Sequence, residues 1–355
     1  MKHKVMTRMS LAMSVAALFI CTSHLSSDAC TRVVYAGTNG NVATGRTLDW
    51  RTPIPTSLRI MPRGERHESY DDPASNMTWT SKYGSVVSIG YDMGISEGLN
   101  EAGMAVNLLY LPGSVYTLPD SLEHRKKMSA SVWAGYVLDN FGSVDDAIKE
   151  MSKDEFHIEA AAMPGGTPTT IHMAMSDSTG NSAVVEYVDG KLCIYKGREY
   201  NVLTNAPTFE KQLAIRDYWE GVGGMNMLPG TNRSTDRFDR ASFYLSVLPK
   251  DLNHNEALAA VFGIVRNCAV PMGISVPGQP EISSTQWMSV CDHRDKVYYF
   301  QLILSPATVW VDLKKADLSK GTPQRSITLK SDGSQVGDIT AKFKVSAPFK
   351  PYFHQ

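Results

Sequence analysis

The chain has 355 residues, 43% of them hydrophobic and 20% charged, with a formal net charge of −1. Those proportions fit a globular protein long enough for one large layered domain. Near-neutral charge, with no basic run beyond Arg125-Lys126-Lys127, excludes nucleic acid as the main partner.

The first segment reads as a removable export signal. Lys2, Lys4 and Arg8 form a basic n-region, residues 10–21 an apolar h-region, and Ser27-Asp28-Ala29 places small residues at −3 and −1. Cleavage after Ala29 is expected to leave Cys30 first in an exported chain, periplasmic or secreted, with residues 30–355 as a single domain. Past that signal no apolar stretch approaches the ~20 residues needed to span a bilayer. A thiol titrates ordinarily near ~8.5 and an α-amine near ~7.7–8.0. An N-terminal cysteine therefore carries nucleophile and base in one residue and needs no histidine. The competing readings of Cys30 are a small residue beyond the signal and a lipid attachment point. Ser-Asp-Ala is not the Leu-(Ala/Ser)-(Gly/Ala) that lipidation uses.

Asn39-Gly40 between two β-rich runs predicts a two-residue hairpin turn. Counting outward from it sets Cys30 opposite Asp49, whose carboxylate would orient the α-amine. Alternation then points Arg46 to the other sheet face, unless a bulge near Thr47 turns it back. The proline-punctuated run 51–63 (Pro53, Pro55, Pro62) reads as extended loop, and residues 64–80 as a polar surface excursion. A strand is expected over 85–90, a two-glycine turn over 98–103, and an apolar strand over 104–111.

Residues 129–140 show apolar positions at helical spacing, with Gly142 as the stop. Ser143 caps a second helix over 144–152, with Asp146 in near capping-box position. A looser Pro-Gly-rich stretch at 163–168 precedes strands at 171–176, 182–187 and 191–196, which form a meander. Val202-Leu203-Thr204-Asn205-Ala206-Pro207 ends a strand and opens a helix over 209–220, so Asn205 on spacing alone is an N-cap. A further helix covers 252–265. Strands at 285–292 and 296–302 follow. Strand blocks interleaved with helix pairs predict two antiparallel sheets with helices outside.

The five cysteines include no C-x-x-C pair, so no zinc framework is expected. Cys193, Cys268 and Cys291 read as buried small residues rather than as disulfide partners. The nine histidines are dispersed and show no metal-ligand spacing.

Several stretches together resemble the choloylglycine hydrolase family, which includes bile salt hydrolases and penicillin V acylases. They are Cys30-Thr31 at a processed N-terminus, Gly45-Arg46-Thr47-Leu48-Asp49-Trp50, Gly98-Leu99-Asn100-Glu101-Ala102-Gly103, and Thr204-Asn205-Ala206-Pro207. Leu228-Pro229-Gly230 leading to Asp236-Arg237-Phe238 and the strand pair from Thr285 complete the set. The resemblance covers nearly the whole chain after residue 29. It implies an α+β, four-layer αββα sandwich of the N-terminal-nucleophile hydrolases, and a hydrolase of linear amides that uses neither cofactor nor metal. Cys30 is then the nucleophile, supported by Arg46, Asp49 and Arg237. The side-chain amide of Asn205 and the backbone N–H of Tyr110 form the oxyanion hole. Arg237 would stabilise the thiolate or the carbonyl oxygen, with Arg240, one turn on, as the structural alternative.

Trp50, Ile54, Leu58, Ile60 and Tyr110 would present an apolar surface to a bulky acyl group. The expected substrate is a small-molecule amide, with conjugated bile salts first and penicillin V or another N-acyl amide, such as an acyl homoserine lactone, as the alternative. A tetramer is what the family implies. An exported binding protein on the same scaffold is the non-enzymatic reading.

Overall fold

The computed structural model describes residues 30–116, 125–162, 164, 166, 168–276 and 279–353. The expected export segment and part of the 163–168 stretch lie outside them. Two large sheets face one another. Among the described residues the first has seven strands, starting at the edge strand Val202–Leu203 and continuing with β1 (Cys30–Ala36) and β2 (Val42–Asp49). These lie beside Thr285–Asp292, followed by Val297–Leu302 and Val309–Asp312. The second has nine strands and is antiparallel throughout, running from the meander at Ile171–Lys196 through Ala105–Tyr110, Gly94–Asn100 and Ser85–Gly90 to Thr56–Met61.

Helices α1 (Ala130–Asn140) and α2 (Val144–Met151) cover the outer face of the nine-stranded sheet. Helices α4 (Ser234–Val247) and α5 (His254–Cys268) cover the seven-stranded one, with α3 (Phe209–Val222) against α4. The order helix, sheet, sheet, helix is the expected four-layer αββα sandwich. Each sheet is buried on both faces, so strand side chains alternate between two apolar layers. Leu58, Leu99, Leu109 and Trp287 fill the layer between the sheets; Val87, Val106, Met173 and Val185 meet α1 and α2.

Local signals account for several ends. Ser143 Oγ accepts from Asp146 N at the start of α2, as read from the sequence, and Ser129 Oγ accepts from Ser131 N at the start of α1. Asn253 and Glu256 form a full capping box on α5.

Four expectations are corrected. The β1–β2 register pairs Cys30 with Leu48 and Ala36 with Val42, one residue away from the counted pairing. Gly37 N donates to Asn41 O, closing a three-residue loop in which Gly40 takes φ 80°. The cause is tertiary. Asn39 Nδ2 donates to the carbonyls of Asp251 and Leu252, and Thr38 N to that of Lys250, which fixes the loop from outside.

The second correction is at Thr56–Met61, which is a strand rather than a loop, bounded by Pro55 and Pro62 and burying Leu58 and Ile60. The third is at Gly98, which lies within a strand. A Cβ there would meet Val86 O at 2.5 Å and a Leu138 methyl at 2.8 Å, so this glycine serves the close approach of α1. The turn falls instead at Glu101–Gly103. The fourth concerns the end of α1, where Asn100 Nδ2 donates to the carbonyls of Leu138 and Phe141. That side chain satisfies the helix end in place of a left-handed glycine at 142.

Candidate active site

The register places Cys30, Arg46 and Leu48 on one face of the β1–β2 hairpin, looking into the gap between the sheets. Arg46 Nη2 stands 3.7 Å from Cys30 Sγ and donates to Leu108 O at 2.6 Å; Nη1 donates to Glu97 Oε2 at 3.0 Å. The guanidinium also lies over the Trp287 ring, 5.1 Å from its centroid. Burial by itself would weaken its hold on the proton, but the charges of Cys30 and Glu97 outweigh that and keep it above its ordinary value. Glu97 is in turn held by Tyr298 Oη at 2.5 Å and Asn107 Nδ2 at 3.0 Å. This cation is fixed from three sides, beside the sulfur of a cysteine that is only 3% exposed.

Asp49 falls on the opposite face of the hairpin, toward the helices. Its carboxylate accepts from Thr285 Oγ1 at 2.6 Å and Thr47 Oγ1 at 3.3 Å, and lies 3.7 Å from Arg237 Nη1. It does not sit directly across from Cys30 as counted. A bulge does occur in this region, but between Thr285 and Trp287 of the neighbouring strand, not near Thr47. Burial pushes the Asp49 carboxyl up to about 6, only partly offset by Arg237 and the two threonines.

Arg237 Nη1 donates at 2.6 Å both to Cys30 O and to Thr31 Oγ1, and Nη2 reaches Asn205 Oδ1 at 3.3 Å. Its contact is with the cysteine's backbone carbonyl rather than with the thiol. Burial lowers its proton affinity, and Asp49 is its main counter-charge. Arg240 donates to Pro229 O and Thr231 O and so holds the Leu228-Pro229-Gly230 loop, the structural role.

Asn205 joins the two sides. Its Oδ1 accepts from Cys30 N, and its Nδ2 donates to Tyr110 O at 2.7 Å. Ser234 Oγ and Gln212 Nε2 bind its backbone N–H and carbonyl, so the side chain is aimed by its own main chain. It is not a helix cap, because Thr208 occupies that position. One amide hydrogen is used on Tyr110, and the second is what an incoming oxyanion would require.

A cavity opens beside the thiol. Trp50, Ile54, Leu48, Leu108 and Tyr110 line it together with Cys30 and Arg46. The Trp50 and Tyr110 rings meet edge to face, with centroids 5.5 Å apart. Leu58 and Ile60, expected on this surface, are in the inter-sheet core instead. Asn205, Asp49 and Arg237 lie behind the cysteine and do not line the cavity.

Sequence reading missed Glu97 and Asn107. Glu97 immediately precedes a segment read as a turn, and its pairing with Arg46 spans 51 positions. Cys193, Cys268 and Cys291 are free thiols, the last two buried and Cys193 half-buried. Among the described residues His254, Asp292 and Asp295 bring ligand atoms within 4.8 Å of one another, but none of them lines the cavity. No helix among the described residues is long and apolar enough to cross a membrane.

Residues 30–332 match the family described as linear amide C–N hydrolases, choloylglycine hydrolase family. The chain is 38% identical over 362 residues to the penicillin V acylase of Pectobacterium atrosepticum, covering 96% of each. It is 24% identical to a bile salt hydrolase/transferase of Clostridium perfringens, over 81% of this chain and 94% of that protein. Among solved structures, penicillin V acylase from Agrobacterium tumefaciens aligns with TM-score 0.83 and 43% identity, covering 92% of this chain and 100% of that one. A variant conjugated bile acid hydrolase from Clostridium perfringens aligns at TM-score 0.71 and 23% identity, over 85% of this chain and 98% of its own, a likeness of fold alone.

Proposed function

The chain belongs to the choloylglycine hydrolase family of linear amide C–N hydrolases, and on that premise we propose that it removes the acyl group of an aryl-bearing amide of the penicillin V type. It is a hydrolase of non-peptide C–N bonds. Sequence reading put conjugated bile salts first. The 38% identity to a penicillin V acylase, against 24% to a bile salt hydrolase/transferase, supports the alternative better. The observation that carries it is the Trp50–Tyr110 edge-to-face pair in the cavity beside Cys30. Such a pair offers a flat aryl ring both an aromatic edge and a face.

The chemistry follows from Cys30. Once residue 30 is freed by cleavage, its α-amine takes the thiol proton and the sulfur attacks the amide carbonyl carbon. The oxygen, now anionic, would be met by the Tyr110 N–H and by the second hydrogen of Asn205, whose amide adjoins Cys30 N and Tyr110 O although it does not itself line the cavity. Collapse breaks the C–N bond, the ammonium returns the proton to the leaving amine, and a thioester remains. Water, deprotonated by the amine, then releases the acid and restores the thiol. Arg46 keeps a fixed positive charge beside the sulfur throughout, and Arg237 holds the Cys30 carbonyl so that the amine and thiol keep their geometry.

Kinetics on penicillin V, glycocholate and taurocholate, with protein whose first residue is Cys30, test the substrate. Penicillin V should give the highest kcat/KM, and a bile salt in first place would reverse the assignment. Retaining a methionine before Cys30 should abolish turnover with the circular dichroism spectrum unchanged. Intact mass of the mature protein during turnover should show an acyl adduct on residue 30; an adduct elsewhere would remove Cys30 as nucleophile.

A further inference from the structure

The segment from Ser346 to Phe353 follows the last strand and lies beyond residues 30–332, the part matched to the family. It crosses the nine-stranded sheet between two anchors. At the first, Arg59 Nη1 donates to Ala347 O at 2.6 Å, Phe349 N donates to Gln324 Oε1 at 2.8 Å, and the Arg59 guanidinium lies over the Phe349 ring. At the second, Tyr352 N donates to Met93 O at 2.9 Å, Ser129 Oγ donates to Tyr352 O at 3.4 Å, and the Phe353 ring stands 6.0 Å from that of Tyr70. Phe349 and Phe353 pack on the outer core. Tyr352, between them in direction, lines the same cavity as Cys30, beside Met93 and Ser131.

The inner end of the cavity is formed by Trp50, Tyr110 and the sheet itself, which cannot yield without breaking the sandwich. Its outer side is the strap itself, where Tyr352 N donates to Met93 O, Ser129 Oγ donates to Tyr352 O, and the Tyr352 side chain is 37% exposed. The acyl group must lie between the two, because its carbonyl is fixed at the Cys30 sulfur. The outer side therefore sets how far the acyl group extends.

We propose that the strap Ser346–Phe353 is the size filter of the acyl pocket, with Tyr352 as the specificity-determining residue. Aryl-acetyl groups stop short of Tyr352, whereas long acyl chains and steroid side chains run into it. This rests on the reading of the Cys30 cavity as the acyl site, and deepens it.

Acyl p-nitroanilides with one leaving group separate the filter from the substrate assignment. We would compare phenoxyacetyl and dodecanoyl p-nitroanilide with wild type, Tyr352→Ala and Tyr352→Trp. The ratio of kcat/KM for dodecanoyl over phenoxyacetyl should rise about tenfold or more in Tyr352→Ala and fall in Tyr352→Trp. Unfolding midpoints of both should stay close to wild type, because the backbone anchors and both phenylalanines remain. A ratio unmoved in both variants, or an equal drop for both substrates, overturns the proposal. The wild-type preference between penicillin V and bile salts decides the assignment separately, since it does not enter the ratio between variants.

Discussion

The Arg46 guanidinium stands 3.7 Å from the Cys30 sulfur, whereas Asp49, three residues along the same strand, faces the other side of the sheet. The hairpin thus divides two tasks. One face carries the thiol and a fixed cation into the cavity. The other ties the cysteine's backbone, through Arg237, to a buried carboxylate.

Arg46→Leu should lower kcat/KM by about 10², because negative charge on the sulfur or the substrate oxygen would lose its fixed counter-charge. It should also destabilise the fold by ~3–5 kcal/mol, since Glu97 would remain buried without its cation. Arg46→Leu combined with Glu97→Gln should regain much of that stability in urea unfolding and none of the rate. Recovery of rate in the double variant would make Arg46 a structural residue only.

Asn205→Ala should reduce kcat by ~10²–10³ with a smaller change in KM, because in the proposed mechanism its second amide hydrogen binds the oxyanion as it forms. A change confined to KM would assign Asn205 to substrate binding. Asn205→Asp, which keeps Oδ1 for the Cys30 nitrogen and removes the donor, should be equally slow.

Asp49→Asn tests a pH dependence of stability. The wild-type carboxyl is held at about 6 in the fold, against an ordinary 3.8, because burial disfavours its charge. The folded state therefore keeps the proton more tightly than the unfolded chain. Its contribution to stability is fully present below about pH 4 and is lost as pH rises through about 6, on the order of 3 kcal/mol in all. Asparagine does not titrate. The variant's unfolding free energy relative to wild type should accordingly rise between about pH 4 and about pH 7. A difference that is flat with pH would mean that Asp49 stays ionised throughout. As Asp49 acts on Cys30 through Arg237, the pH profile of kcat/KM should keep its position while its height falls.

Gly45→Ala should cost ~1–3 kcal/mol in urea unfolding. A Cβ at this position would meet Val265 and Val261 of α5 at 2.5 and 2.6 Å, and two short β-branched side chains cannot swing aside. Relief by Val265→Ala in the same chain would show that the cost is this contact.

Much of the architecture is legible from local pattern. The strand at Ser85–Gly90, the meander from Ile171, the cap at Ser143 and the strand pair from Thr285 all follow from periodicity of 2 or 3.6 and from turn chemistry within a few residues. The candidate site is also legible as a set of names: Cys30, Arg46, Asp49, Asn205, Arg237, Tyr110 and Trp50 do converge on one region. What each of them faces is not legible. The period of a strand is two, so a one-residue slip exchanges the faces of every side chain in it. The register of β1 and β2 was fixed by the carbonyls of Lys250, Asp251 and Leu252, more than 200 positions away, holding Thr38 and Asn39. Local sequence chose the turn residues, but only the packed fold chose among the turns they permit. Long-range contacts likewise decided that Arg46 rather than Asp49 meets the thiol, that Glu97 completes the cation's site, and that Tyr352 lines the cavity. All three depend on packing between segments distant in the chain, which no window of neighbouring residues contains.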